Sequence, residues 1–370
     1  MKKIIILGAT GSVGKSTFNV VRRNPDKFQI VGASAHSNFS DLKKLASEFK
    51  IPFLFNTKEK NIENFSDFVK QCEPDIILNA ITGFAGLEYS MEILKNKVPL
   101  ALANKESLVA GGEILMQLSR EMKMPILPVD SEHSAIFQCL LNSSNFSENR
   151  SNSFNKILLT CSGGPFYGKT NDELQNVTRE NALAHPNWSM GAKISIDSAT
   201  LANKCLEFFE AMHLFNASKD QVEIVIHRES IVHSMVEFPD SSVIAQLSPP
   251  TMELPIAFAL NFPDRLDCDI SRQSFKNLDL SFREPDKKVF RTLEILEVCA
   301  ENMQNYPIVF NAANEVVVAE FLAGKIKFID IFDKLAQVID GVKLETVDSV
   351  EKIFEIDEGA RKVTREILSK

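Results

Sequence analysis

Short apolar runs alternate along the first third of the chain with stretches whose apolar residues recur every three or four positions. The runs "KIIIL", "FQIVGASA", "PFLF", "DIILNAI", "VPLALA" and "MPILPV" are rich in Ile, Val and Leu, which predicts strands. Between them, "GKSTFNVVRRNPDKF" and "FSDLKKLASEFK" carry the spacing of amphipathic helices. Strand and helix in alternation predict βαβ units and a parallel, doubly wound sheet. Residues 1–129 are therefore expected to form a Rossmann-type domain.

The pattern then changes. "NSSNFSENRSNSFN", residues 142–155, is rich in Asn and Ser and reads as an exposed loop. "KILLTCSGG", "VEIVIH", "SIVHSMVEF" and "SVIAQL" follow as strand-like runs, with a helical stretch "NKCLEFFEAMHLF" among them, so residues 130–262 are expected to be an α+β domain. A linker at 263–285 leads to residues 286–370. There "DKKVFRTLEILEVCAENM", "PIVFNAANEVVVAEFLAGKI" and "FIDIFDKLAQVIDGV" predict a small helical domain.

Composition narrows the classes. A chain of 370 residues exceeds one ordinary core, which agrees with several domains. Lys plus Arg number 41 and Asp plus Glu 49, a net charge of −8 with no basic block, which argues against a nucleic-acid partner. The cysteines at 72, 139, 161, 205, 268 and 299 show no C-x-x-C spacing and read as reduced thiols. The apolar run of "MKKIIILGAT" ends at Gly8, short of a signal-peptide core, and no long apolar segment appears. The expectation is a cytoplasmic protein without leader or membrane span.

"GATGSVGKST", residues 8–17, admits two chemistries. A Walker loop needs a glycine where this chain has Ala9, so that backbone amides wrap a triphosphate. Gly8, Gly11 and Gly14 instead match a variant of the dinucleotide turn between a first strand and its helix. The helix-start amides of Thr10, Gly11, Ser12 and Val13 would then carry a pyrophosphate. The second predicted strand runs into His36, Ser37 and Asn38, with no carboxylate for a ribose 2′-hydroxyl. Small donors and an imidazole suit a 2′-phosphate, favouring NADP(H); the alternative is an ordinary polar loop.

Carboxylates supply the second clue. "PVDSEHSA" sets Asp130 and Glu132 two apart, on one side if the segment is extended. Such a pair is also common in solvated turns. "DSATLANKCLEFFE" places Ser198, Asn203 and Lys204 ahead of Glu207, with Lys204 and Glu207 on one helical face; the plain alternative is a surface ion pair. All-oxygen ligation suits Mg²⁺ or Mn²⁺, and the six histidines offer no H-x-x-x-H pair for zinc. "CSGGPF" ends a strand with donors around Ser162. "HPNWSMG" holds the only tryptophan in a polar, turn-rich segment, where Trp188 and Met190 could form a lid that excludes water.

Taken together, "GATGSVGKST", "ANKESLVAGG", "LPVDSEHSAIFQ", "SGGPF", "HPNWSMGAKISIDSATLANKCLE", "IVHSMVEF" and "NAANEVVVAEF" resemble the 1-deoxy-D-xylulose 5-phosphate reductoisomerase family over residues 1 to about 321. The resemblance implies rearrangement of a metal-bound ketose phosphate to an aldehyde, by retro-aldol cleavage and re-addition. Hydride from NADPH then gives 2-C-methyl-D-erythritol 4-phosphate. By the same resemblance Asp130, Glu132 and Glu207 are metal ligands for Mn²⁺ or Mg²⁺, with Co²⁺ a further option. Ser162, Ser198, Asn203 and Lys204 match phosphate and substrate contacts, joined by Ser131, His185 and Lys105. Lys105 and Glu132 are the acid/base candidates. Thr10 to Val13, Asn104, Glu106 and Gly191 match NADPH contacts, residues 36–38 match the 2′-phosphate loop, and a homodimer is implied. His36 and Cys205 stand where the family commonly has glycine.

Three other readings compete. A semialdehyde or homoserine dehydrogenase shares the N-terminal loop, and the first would need a catalytic cysteine beside a histidine. A P-loop kinase would need the missing glycine at position 9. A catalytically dead binding module would not need the intact acids at 130, 132 and 207.

Overall fold

The computed structural model describes residues 1–59, 62–141, 154–188 and 190–370. Most of the Asn- and Ser-rich loop read from the sequence, residues 142–153, lies outside the described residues. The chain forms two compact units: residues 1–108, 112–137 and 251–272 make the first, and 109–111, 138–250 and 273–370 make the second.

In the first unit, strands β1 (Lys2–Leu7), β2 (Phe28–Ala35), β3 (Phe53–Asn56), β4 (Ile76–Asn79), β5 (Leu100–Leu102) and β6 (Ile126–Pro128) alternate with helices α1 (Ser12–Arg23), α2 (Phe39–Phe49), α3 (Glu63–Cys72), α4 (Gly86–Lys95), α5 (Lys105–Met122) and α6 (Ser131–Leu140). The strands lie in the order β3-β2-β1-β4-β5-β6, every pair parallel. This is the doubly wound order whose switch point lies between β1 and β4. Ile4, Ile5, Ile6 and Leu7 of β1 are all fully buried, because helices cover both faces of a central parallel strand. The helix Glu253–Asn261, α11 in chain order, also belongs here: Asn19 Nδ2 of α1 donates to Glu253 Oε1 at 3.0 Å.

One local expectation changes. Asp130 and Glu132 do not lie on an extended segment, since helix α6 starts at Ser131 and Glu132 sits in its first turn. Ser134 N donates to the Asp130 carbonyl and Ser131 N to the Asp130 carboxylate, at 2.8 and 3.0 Å. An acidic side chain at a helix start satisfies open amides and the helix dipole, and this outweighs the strand pattern carried over from "MPILPV".

The second unit is built on a mixed sheet. Strands β7 (Lys156–Cys161), β8 (Val222–Ile226), β9 (Val232–Glu237) and β10 (Val243–Leu247) lie in the order β10-β9-β7-β8; β7 and β8 are parallel and the other pairs antiparallel. Helices α7 (Asn171–Leu174), α8 (Arg179–Leu183), α9 (Ala192–Thr200) and α10 (Ala202–Phe215) connect β7 to β8. The C-terminal segment is helical, as expected: α12 (Thr292–Glu301), α13 (Tyr306–Leu322), α14 (Asp330–Asp340) and α15 (Val350–Leu368). Phe209 of α10 meets Phe310 of α13 edge-on, and Asn314 Nδ2 of α13 donates to Asp197 Oδ1 of α9 at 2.8 Å, so this bundle supports the helices that follow β7. No helix among the described residues is long and apolar enough to cross a membrane.

Truncating Ile5→Ala removes a fully buried side chain from the central strand. The expected loss is about 3 kcal/mol of stability, within the range for such cavities. It should appear as a lowered urea midpoint of the first unit, followed by circular dichroism.

Candidate active site

The glycine turn after β1 is fixed by sterics. Gly8 has φ +72°, and a Cβ there would meet the Ala80 carbonyl oxygen beyond β4 at 2.4 Å. A Cβ on Gly14 would meet the Ala9 oxygen at the same distance, so α1 packs directly on the turn. Gly11 precedes α1 without a side-chain cap, and the amides of its first turn have no intrahelical partner. Thr10 and Val13 are half-buried, and Gly11 and Ser12 exposed, at the carboxyl end of the sheet. Such a turn fits a pyrophosphate. Ala9 is fully buried and Lys15 is exposed along α1, which leaves no triphosphate clasp of the Walker kind.

His36, Ser37 and Asn38 are exposed where β2 ends, and His36 Nδ1 lies 3.1 Å from Thr57 Oγ1 beyond β3. Asn104 is buried and caps α5. Its Oδ1 accepts from Ser107 N at 3.1 Å and its Nδ2 donates to Gly83 O and Glu106 Oε2, both at 2.9 Å. Only glycine fits at position 86, where a Cβ would overlap Asn104 Oδ1. This cap sets Lys105 and Glu106 at the start of the helix.

Lys105 and Asp130 follow neighbouring strands, β5 and β6, and their side chains pair at 2.6 Å with little exposure. Ser131 Oγ donates to Glu132 Oε2 at 2.5 Å, and the His133 ring is fully buried with Nδ1 3.9 Å from Asp130 Oδ2. The first unit thus gathers an ammonium and two carboxylates at the carboxyl end of its sheet, where open α/β folds bind ligands.

The second unit gathers the remaining substrate candidates. Lys204 and Glu207 of α10 form an ion pair whose side chains are only 2% and 1% exposed, not the surface pair that spacing alone allowed. Lys204 Nζ also donates to Thr160 O of β7, and Asn203 Nδ2 to Glu207 Oε1, both at 2.5 Å. After β7 the chain turns through Ser162, Gly163 and Gly164; the glycines have φ +76° and +68°. A Cβ on Gly164 would lie 2.5 Å from the Ser198 carbonyl oxygen, so the turn rests on α9 beside Ser198.

His185 joins the same turn. Its Nδ1 accepts from Asn187 N and Trp188 N at 3.2 and 3.0 Å, and its Nε2 lies 3.1 Å from Ser162 Oγ. Two amides facing Nδ1 put the proton on Nε2, which donates to Ser162. Trp188 stands edge-on to His233 with ring centroids 6.1 Å apart. Met190 is half-buried, and Gly191 is exposed at the start of α9, in the second unit, away in sequence from the other cofactor candidates. Cys205 is fully buried with Sγ 3.4 Å from Thr292 O, so the thiol fills space toward α12. Burial pushes the Cys72 and Cys139 thiols up to about 12, which makes them poor nucleophiles.

The sequence reading did not single out two residues of this turn. Asn187 Nδ2 donates to Arg228 O and Ser230 Oγ at 2.8 and 2.7 Å, and Arg228 reaches back to the turn itself. An arginine in the gap between two predicted strands carries no pattern that would have marked it.

Comparison with known proteins agrees with these observations. The model of 1-deoxy-D-xylulose 5-phosphate reductoisomerase matches residues 4–73 and 60–112, and models of the C-terminal domains of that enzyme match 126–215 and 247–363. Relatives named 1-deoxy-D-xylulose 5-phosphate reductoisomerase from Desulfitobacterium hafniense and Clostridium tetani are 40% and 42% identical. The first alignment covers 100% of both chains, the second 96% of this chain and 97% of the relative. A crystal structure of DOX-P reductoisomerase in complex with NADPH, fosmidomycin and magnesium superposes with a TM-score of 0.89 at 34% identity, covering 100% of this chain and 98% of that one. The enzyme from Zymomonas mobilis in complex with NADPH gives 0.85 at 34%, covering 99% of each. The glycine turn, the two lysine–carboxylate pairs and the full-length likeness lead to one conclusion: the chain belongs to the 1-deoxy-D-xylulose 5-phosphate reductoisomerase family.

Proposed function

We propose that the protein converts 1-deoxy-D-xylulose 5-phosphate to 2-C-methyl-D-erythritol 4-phosphate with NADPH and a divalent cation, Mg²⁺ or Mn²⁺. The observation that carries this reading is the buried Lys204–Glu207 pair beside the Ser162 turn. Withdrawing two charges from water costs several kcal/mol, and a fold that retains such a pair on a helix beside the end of β7 is more readily explained by chemistry than by stability.

Each group has a part in this proposal. The uncapped start of α1 holds the pyrophosphate through residues 10–13, and His36, Ser37 and Asn38 hold the 2′-phosphate. Asn104, Glu106 and Gly191 line the rest of the cofactor. Asp130, Glu132 and Glu207 are the oxygen ligands of one cation, a donor set that fits a hard ion. The cation, when bound, polarises substrate oxygens as a Lewis acid. Lys105 and Glu132 move protons during the rearrangement, with Lys105 near Asp130 keeping a donor at hand. Lys204, Asn203, Ser162 and Ser198 hold the phosphate, and Ser131 and His185 complete the substrate contacts. Trp188 and Met190 cover the bound substrate and exclude water. Functionally we retain residues 1–129 for the cofactor, 130–262 for metal and substrate, 263–285 as a linker and 286–370 as support.

A homodimer and a cytoplasmic setting belong to the same proposal. β10 is an edge strand with Val243 and Ile244 49% and 45% exposed, an edge suited to pairing with a second copy. Six free cysteines suit a reducing compartment.

Oxidation of NADPH should require both the ketose phosphate and Mg²⁺ or Mn²⁺ and stop with chelator; Glu207→Gln should lower kcat at least about a hundred-fold, and activity surviving that change counts against its place at the metal. Lys204→Met removes the cation from a buried carboxylate and should cost about 3 kcal/mol in urea unfolding, most of it recovered in Lys204→Met/Glu207→Leu. Val243→Lys should raise the dimer dissociation constant in sedimentation by about ten-fold or more, since a lysine on an edge strand opposes pairing.

A further inference from the structure

Arg228 lies between β8 and β9, outside every motif read from the sequence. Its Nη1 donates to the carbonyl oxygens of Ser162 and Gly164, the latter at 2.9 Å, and its guanidinium stacks 4.9 Å from the Tyr167 ring centre. Its own carbonyl accepts from Asn187 Nδ2. Asn187 N and Trp188 N donate to His185, and His185 Nε2 donates to Ser162 Oγ. The contacts therefore close a ring, from Arg228 to the Ser162 turn, to His185, to Asn187 and back to Arg228.

The ring sets the direction of two donors. Ser162 Oγ accepts from His185 Nε2 and from Gly164 N at 3.2 Å, so both lone pairs are engaged and its O–H is left to donate outward. The peptide linking Ser162 to Gly163 is planar and trans, so its N–H points opposite to its C=O. Pinning the Ser162 carbonyl on Arg228 therefore turns Gly163 N–H to the other side of the turn. Gly164 is followed by Pro165, which has no N–H to aim. Glycines at φ +76° and +68° permit many other turn geometries, and the guanidinium selects this one.

We propose that Arg228 is the positioning residue for the substrate's phosphate: it holds the Ser162 O–H and Gly163 N–H as anion donors and ties the segment carrying Trp188 to the same turn. This deepens the functional reading above and rests on it for the identity of the anion. A lysine would keep the charge but lose the planar group that serves two carbonyls and stacks on Tyr167.

The single tryptophan reports directly on this segment. Wild type, Arg228→Met and Arg228→Lys are titrated with inorganic phosphate while Trp188 fluorescence is followed, and KM is measured for the ketose phosphate and for NADPH. Loss of a charge-assisted hydrogen bond should raise both the phosphate midpoint and the ketose phosphate KM about ten-fold in Arg228→Met, with a smaller shift in Arg228→Lys. The NADPH KM should stay at the wild-type value. Equal phosphate midpoints in wild type and Arg228→Lys, no phosphate response in wild type, or an NADPH KM rising in step would each overturn the proposal. Should wild type respond to phosphate as expected yet not turn over the ketose phosphate, the functional reading fails and the positioning role stands. Should Arg228→Met not fold, Arg228→Lys decides by the same readings.

Discussion

Lysine–carboxylate pairing withdrawn from water is the constraint on which this molecule depends. Lys204 and Glu207 are almost wholly buried in the second unit, and Lys105 and Asp130 nearly so in the first. Neither pair could persist without a rigid surround, because a buried charge left uncompensated costs about 3–5 kcal/mol. In the second unit Thr160 O and Asn203 supply the further hydrogen bonds. In the first, the Asn104 cap fixes the helix start that presents Lys105.

Close backbone approach is the means by which those surroundings are made. Gly8 against Ala80, Gly86 against Asn104 and Gly164 against Ser198 are places where a side chain would overlap its neighbour. Gly8 and Gly164 follow the ends of β1 and β7, and Gly86 opens α4 against the Asn104 side chain that caps α5. The C-terminal helices contribute at a distance: Asn314 holds Asp197 on α9, the helix that carries Ser198. That buried hydrogen bond ties α13 to α9.

Much of this was legible in the sequence. Every strand of the first sheet falls on an apolar run, because a parallel strand buried on both faces must be continuously hydrophobic. The glycine spacing marked the turn after β1, and the order of motifs marked the family. Three features were not legible. The backbone of Asp130 and Glu132 followed helix capping, which ends the extended run that closes at Val129 just before them. The burial of Lys204 and Glu207 depends on β7 and the C-terminal helices, far off in sequence, so spacing within α10 could not distinguish it from a surface pair. Arg228 acts through main-chain carbonyls, which leave no residue signature at all.

We propose that Asp130, Glu132 and Glu207 serve one cation. Anomalous diffraction from crystals grown with Mn²⁺ tests it most directly. The expected result is one strong anomalous peak bonded to carboxylate oxygens of all three residues, absent from crystals of Glu207→Gln. A peak at other residues, or one that survives Glu207→Gln with Asp130 and Glu132 disengaged, would contradict the account.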